Sequence, residues 1–215
     1  MENSEKYRTP TDVLLDGLDK SVNSNTVLLY FEIPSIETFD IKRFLTTQLK
    51  TGYFHFMLLL NHVERGWENF THNCFPLNWK DNFLMFPLPG TSWNGNENLL
   101  IEELAEHKAS EYIIDLLTGG GHFFTRSALG TPFDTSRANR ILGDFIEQFK
   151  KHKYSFYRIE PDFLWLADDR FNADNDLTRL GYFENAGRDF ALAIFTNDEE
   201  GAGAGLRVLL VNGYG

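Results

Sequence analysis

The chain has 215 residues with 42% hydrophobic and 15% aromatic content, enough to form a core, which excludes a disordered protein. Its formal net charge of -11 argues against general binding to nucleic acids or anionic membranes, since both depend on clustered Lys and Arg side chains. The single cysteine, Cys74, excludes an intrachain disulfide, and the longest apolar run is too short to span a bilayer. We therefore expect a soluble, cytoplasmic protein.

The first part of the chain predicts helices and strands in alternation. "TPTDVLLDGLDKS" predicts a helix with Thr11 or Asp12 near its cap, which we interpret as an N-terminal lid within residues 1–25. "TVLLYFEI" predicts a strand, and "DIKRFLTTQLKTG" predicts a helix that Asp40 begins and Gly52 ends. "YFHFMLLLN" predicts a second strand. This order indicates a βαβ or split βαβ unit.

The middle of the chain predicts a long connection over residues 61–81, a strand at "NFLMFPL" and a loop at "PGTSWNGNEN". Apolar residues from Leu100 to Leu116 recur at helical spacing and predict a helix. Three glycines, Gly119 to Gly121, then come before "HFFTR", which predicts a strand. A phosphate-binding loop has the opposite order, strand then glycines then helix, and requires a lysine. The glycines therefore predict the end of an α-helix, where the backbone takes a left-handed conformation.

The last part of the chain gives the clearest helix. Asp134, Thr135 or Ser136 caps it, and one apolar stripe follows, formed by Ile141, Leu142, Phe145, Ile146 and Phe149. Four strands follow at "YSFYRI", "FLWLA", "FALAIFT" and "LRVLLVN", with the last two joined as a hairpin. We predict a single α+β domain over residues 1–215, with helices packed on a mixed β-sheet and a C-terminal antiparallel meander.

No segment carries a complete catalytic or metal-binding motif. The spacing of four candidate zinc ligands matches no common site: His55, His62, His72 and Cys74. "NADND" has acids at alternate positions, as calcium loops do, but Leu177 and Phe183 stand where glycine and glutamate are required. We therefore expect no metal and no cofactor, and we favour a binding protein over an enzyme.

Charge is distributed unevenly along the sequence. Residues 161–200 contain ten acidic side chains against three arginines, a net charge of -7. Residues 135–159 contain six basic side chains against two acidic ones, a net charge of +4. The acidic part also contains aromatic residues, and this combination is typical of interfaces that use charge for steering and aromatic rings as anchors.

These features predict an acidic protein-binding or inhibitor module that engages a basic protein partner. Immunity proteins, which cover the active site of a basic toxin domain, are the general model for this function. The predicted partner-binding residues are Asp168, Asp169, Asp174, Asp176, Glu184, Trp165 and Tyr182.

An alternative function rests on three arginines near the start of the clearest helix. Arg126, Arg137 and Arg140 surround a run of hydroxyl side chains, where a helix N-terminus presents N–H groups to an anion. This pattern predicts an enzyme or binder for a ligand that carries phosphate or carboxylate. The competing interpretation is that the hydroxyls cap the helix and the arginines pair with the surplus acids.

Overall fold

A computed structural model describes residues 8–34, 39–64, 91–92, 99–160, 165–168, 180–181, 187–197 and 203–213. The helices in these ranges are α1 (Pro10–Val22), α2 (Ile41–Lys50), α3 (Tyr53–Glu64), α4 (Glu106–Leu117) and α5 (Thr135–Glu147). The strands are β1 (Ser24–Ile33), β2 (Thr91–Ser92), β3 (Ile101–Leu104), β4 (Lys153–Ile159), β5 (Trp165–Asp168), β6 (Leu180–Gly181), β7 (Phe190–Asn197) and β8 (Ala204–Gly213).

The main sheet has five strands in the order β1-β8-β7-β4-β3, and every pairing in it is antiparallel. Strand β8 pairs with β1 along its whole length, from Gly213 opposite Ser24 to Ala204 opposite Ile33. Strands β7 and β8 are also paired, which confirms the predicted C-terminal hairpin. A second sheet has three strands in the order β2-β5-β6. The fold is α+β, as predicted.

The main sheet lies between two layers of helices because successive side chains of a strand point to opposite faces. Val208 and Leu210 of β8 belong to the apolar cluster that includes α2 and α3. Leu209 and Val211 belong to the cluster that includes α1, α4 and α5. Strand β8 is therefore buried on both faces, which explains its nearly continuous apolar sequence.

Helix α1 begins with a capping box and packs into the larger helical layer. The Thr9 hydroxyl accepts from the Asp12 N–H at 3.1 Å, and the Asp12 carboxylate accepts from the Thr9 N–H at 2.9 Å. The N-cap is thus Thr9, two residues before the predicted Thr11. Leu14 and Leu18 are fully buried among residues of α4 and α5. The helix interpreted as a lid thus contributes side chains to the core.

The segment "YFHFMLLLN" lies in helix α3, so the strand and the βαβ unit predicted there are wrong. A continuous apolar run has no clear period and is compatible with a buried strand or a buried helix. Phe54 and Leu58, four residues apart, are both fully buried, as on one face of a helix. The Phe54 ring stacks on Phe31 of β1 at 5.5 Å between ring centroids.

The helix predicted from Leu100 begins only at Glu106, and Ile101–Leu104 forms the edge strand β3. Ile101 lies opposite Ile159 of β4 in the antiparallel pairing. The spacing of these first apolar residues fits a helical period over too few positions to distinguish a helix from a short strand.

The prediction for α5 is confirmed. The Asp134 carboxylate accepts from the Arg137 N–H at 2.9 Å and caps the helix. All five residues of the predicted stripe are buried: Ile141, Leu142, Phe145, Ile146 and Phe149.

The strand predicted at 82–88 lies outside the described residues. In the described part of the chain, no helix has the length and apolar character that crossing a membrane requires.

Candidate functional site

Two of the seven residues of the predicted acidic surface, Trp165 and Asp168, lie in the described part of the chain. Strand β5 contains Trp165 and Asp168, and it pairs with β6 through Trp165 opposite Gly181 and Leu166 opposite Leu180. On its other edge, β5 pairs with β2, where Asp168 lies opposite Thr91. Since β5 and β6 are adjacent and antiparallel, Asp168 and Leu180 lie at the same end of this sheet. The other predicted partner-binding residues lie outside the described residues: Asp169, Asp174, Asp176, Tyr182 and Glu184.

The three consecutive glycines end helix α4, as predicted. Their φ angles are +90°, +77° and +115° for Gly119, Gly120 and Gly121. A Cβ added at Gly120 would lie 2.7 Å from the carbonyl oxygen of Thr125, so this position excludes any larger residue without rearrangement. The chain turns tightly here and returns alongside the end of the helix.

The returning chain donates its N–H groups to a carboxylate of the protein itself. Asp115, in the last turn of α4, accepts from the N–H groups of His122 at 3.1 Å, Phe123 at 2.8 Å and Phe124 at 3.1 Å. An anion bound to this turn would compete with Asp115 for these donors. The turn therefore resembles an anion-binding nest that is already occupied by the Asp115 carboxylate.

Sequence reasoning missed Asp115, although the sequence contains a signal. Acidic side chains are unfavourable in the last turn of a helix because the carbonyl end of the helix dipole is negative. An aspartate at that position, followed by three glycines, indicates that N–H donors return to it.

Residues 122–126 do not form the predicted strand. They belong to a loop that backbone hydrogen bonds tie to three parts of the fold. The Thr125 N–H donates to Gly187, Ser127 N–H to Gly119 and Thr131 N–H to Lys20, at 2.9, 3.0 and 2.6 Å from the respective carbonyl oxygens. Because these N–H groups already have carbonyl partners, they cannot donate to a neighbouring strand.

The three predicted anion-binding arginines lie in different surroundings. A Cβ built on Gly121 would lie 3.5 Å from Nε of Arg126, so this guanidinium lies beside the glycine turn. Arg137 stacks over the ring of Phe133, 4.6 Å from its centroid. Arg140 is exposed one turn further along α5. Within the described ranges, none of the three forms an ion pair with a carboxylate.

The helix N-terminus beside these arginines already has an anionic partner. Asp134 occupies the N-cap of α5 and accepts from the Arg137 N–H. A ligand anion at this helix end would therefore approach a carboxylate. The Asp134 carboxylate therefore makes the backbone N–H groups of this helix end less suitable for binding an anion. The three guanidinium groups have no carboxylate partner within the described ranges.

A fourth arginine, which sequence reasoning missed, lies between two aromatic rings. The Arg207 guanidinium carbon is 4.9 Å from the ring centroid of Tyr30 and 5.1 Å from that of Phe149. Its Nη1 donates to the Thr196 hydroxyl at 3.1 Å. Burial lowers the pKa of Arg207 below its usual value, and the Tyr30 hydroxyl acts weakly in the opposite direction. Nothing in the sequence indicates this group, because its members come from four separate segments.

The described residues include no group of three or more His, Cys, Asp or Glu side chains arranged to hold a metal ion. Two residues of the unmatched zinc pattern, His55 and His62, lie on helix α3, and the other two, His72 and Cys74, lie outside the described residues. Comparison of the chain with protein-family models, curated proteins and solved structures finds no match.

Proposed function

We propose that the protein is a cytoplasmic binding module that engages a basic protein partner through the acidic stretch joining β5 to β6. The observation that carries this proposal is the pairing of β5 with β6. It brings the two ends of an acid-rich segment to one end of a three-stranded sheet, next to Asp168. Fixed ends reduce the conformational entropy that a loop loses when it binds.

The segment itself, residues 169–179, has three acidic side chains against two arginines, and the wider region that contains it supports a protein partner of opposite sign. Residues 161–200 account for -7 of the net charge of -11. A dense set of like charges adds little stability to a fold, whereas it accelerates the encounter with a basic surface. The neighbouring aromatic residues, Trp165 and Tyr182, are of the types that supply most of the binding energy at interfaces. An inhibitor that covers a basic toxin domain is the form of this function that we favour.

Charge removal tests this function with a matched control. The test variant replaces Asp168, Asp169, Asp174 and Asp176 with Asn. The control removes the same number of charges from exposed side chains elsewhere in the fold: Glu32→Gln, Glu102→Gln, Glu103→Gln and Asp144→Asn. Both variants and the wild type are used to capture partners from an extract of the native host, and association with the captured protein is timed at several salt concentrations.

We expect the test variant to associate more slowly and to lose most of its salt dependence, because steering by charge is screened beyond about 8 Å at physiological ionic strength. The control should associate like the wild type. Identical partners and identical salt profiles for all three proteins would exclude the acidic segment as the binding surface.

The second candidate function is recognition of a phosphate- or carboxylate-bearing small molecule through Arg126, Arg137 and Arg140. It is favoured by one observation, the lack of carboxylate partners for these arginines within the described ranges. Nucleotides and sugar phosphates should then raise the melting temperature saturably, and replacing all three arginines with Gln should abolish the effect. An unchanged melting temperature with every such ligand would exclude this second function, and protein binding would remain as the candidate.

A further inference from the structure

The Arg207 site lies on the face of the main sheet that packs against α1, α4 and α5. Arg207 of β8 lies opposite Tyr30 of β1, and Thr196 comes from the neighbouring strand β7. Phe149 follows the end of α5 and belongs to the same apolar cluster as that helix. Residues of three adjacent strands and one residue just after a helix therefore hold the guanidinium of Arg207 in place.

Tyr30 is held beside Arg207 by a close approach to the backbone. A Cβ added at Gly205 would lie 2.6 Å from Cε2 of the tyrosine ring, so only glycine lets the ring lie there. The ring is nevertheless 49% exposed. About half of the Tyr30 surface thus remains available to a ligand next to the cation.

The charge of Arg207 has no counter-charge in the described part of the chain. Its guanidinium is partly desolvated, and no carboxylate there lies within ion-pair distance of it. Partial burial of an unpaired cation is unfavourable, and the aromatic rings compensate for only part of this cost. An anion at this position would restore the missing interaction.

Arg207 has more hydrogen-bond donors than the described residues satisfy. Nη1 donates to Thr196, whose hydroxyl is positioned to donate in turn to the Gly205 carbonyl oxygen at 3.3 Å. Within the described residues, Thr196 is the acceptor found for this guanidinium, and Arg207 itself is partly exposed. A guanidinium edge matches the two oxygens of a carboxylate.

We propose that Arg207 anchors a binding site for a small carboxylate ligand whose flat, apolar body lies against Tyr30. One guanidinium balances the single negative charge of a carboxylate, whereas a phosphate dianion calls for further cations. The site shares no residue with the acidic segment or with Arg126, Arg137 and Arg140, so it does not depend on the proposed function.

Benzoate is the probe for this site, and benzamide, which has the same ring without the charge, is its control. Binding is followed by the Nε–Hε signal of Arg207 in a ¹H–¹⁵N NMR spectrum of the full chain. We expect benzoate to shift this signal saturably and benzamide to leave it unchanged. Inorganic phosphate, added separately, should shift it less than benzoate does.

The test variant is Arg207→Lys, which keeps the charge and loses the planar donor edge. The matched control is Arg158→Lys, since Arg158 also stacks on an aromatic ring, that of Tyr112 at 5.2 Å, but has the Glu160 carboxylate as a partner at 4.0 Å. With binding followed by calorimetry, we expect Arg207→Lys to weaken benzoate binding at least about tenfold, a change of about 1.4 kcal/mol. Arg158→Lys should bind like the wild type. If Arg207→Lys fails to fold, Tyr30→Ala should weaken binding by removing the ring face.

Several results would overturn this proposal. They are the absence of a shift with benzoate, an equal shift with benzamide, tighter binding of phosphate, or benzoate binding that persists unchanged in Arg207→Lys. Asp198, Glu199 and Glu200 lie between β7 and β8, outside the described residues. Benzoate binding that appears only after all three are changed to Asn or Gln would show that the chain supplies its own anion, which would also overturn the proposal.

Discussion

The buried carboxylate of Asp115 accepts the backbone N–H of Phe123 at 2.8 Å, across a turn of three glycines. The same carboxylate accepts from His122 and Phe124. One side chain thus fixes the path of the loop that leaves helix α4, and it takes the position that a bound anion would have in a phosphate-binding turn. The loop is built around a residue of the protein and needs no ligand to hold its shape.

Replacing Asp115 with Ala should therefore destabilise the protein by about 3 kcal/mol, because three N–H donors lose a charged acceptor in a partly buried site. Equilibrium unfolding in urea measures the change. Asp144→Ala, at an exposed position of α5, is the control and should change the free energy of unfolding by less than about 0.5 kcal/mol. Equal stabilities of the two variants would show that Asp115 does not organise the loop.

Two glycine substitutions should have opposite effects. Gly120→Ala places a Cβ 2.7 Å from the Thr125 carbonyl oxygen at a φ of +77°, and should cost about 2 kcal/mol or more. Gly143→Ala lies within α5, where a Cβ meets nothing within 4 Å, and should stabilise by up to about 1 kcal/mol. Melting temperatures that move in the same direction would contradict this backbone assignment.

The aromatic core beneath α5 should be sensitive to truncation. Phe145 is 0% exposed and packs against Phe149 at 5.1 Å between ring centroids. Phe145→Ala should cost about 4 kcal/mol through lost burial and a residual cavity. Phe145→Asp should prevent folding, since it buries an unpaired charge. Leu129→Ala, at a position 69% exposed, is the control and should be nearly neutral.

The phenol of Tyr154 should make stability depend on pH in the alkaline range. Burial first, and then its hydrogen bond of 2.8 Å to Glu106, raise the pKa of Tyr154 above its usual value of 10.0. The folded state therefore favours the neutral phenol, and this contribution is complete below about pH 10 and is lost as pH rises through the folded-state pKa.

Unfolding in urea at several alkaline pH values, together with absorbance titration of the phenolates, measures this effect. Tyr154→Phe should lose less stability between neutral and alkaline pH than the wild type does. Glu106→Gln removes the charged acceptor and should lower the pKa of Tyr154. A wild type and a Tyr154→Phe variant with parallel pH profiles would show that Tyr154 does not contribute.

The elements predicted correctly are those whose sequence pattern is set by a single packing face. Helix α5 has an apolar stripe and an N-cap, and every residue of the predicted stripe is buried. The hairpin of β7 and β8 has apolar strands joined by a glycine-rich segment. In both, local pattern and tertiary packing lead to the same structure.

The wrong predictions arose where a pattern fits two structures equally well. The run at Tyr53–Glu64 is apolar on several sides, and only its position against β1 makes it a helix. Arg207 could not be assigned a role from the sequence because its partners are brought near by the fold. Phe149 and Tyr30 reach Arg207 from segments far apart in the chain.

The long pairing of β1 with β8 has a consequence for how the chain reaches its folded state. The first strand of the main sheet and the last are hydrogen-bonded neighbours, and nearly the whole chain separates them. Strand β8 also supplies β7 with its partner, so the centre of the sheet cannot assemble before residues 204–213 have been synthesised. Contacts this distant in sequence slow folding and leave strand edges exposed in the meantime. During synthesis on the ribosome, β1 must therefore wait unpaired, and we expect chaperones that bind extended apolar segments to hold it until β8 emerges.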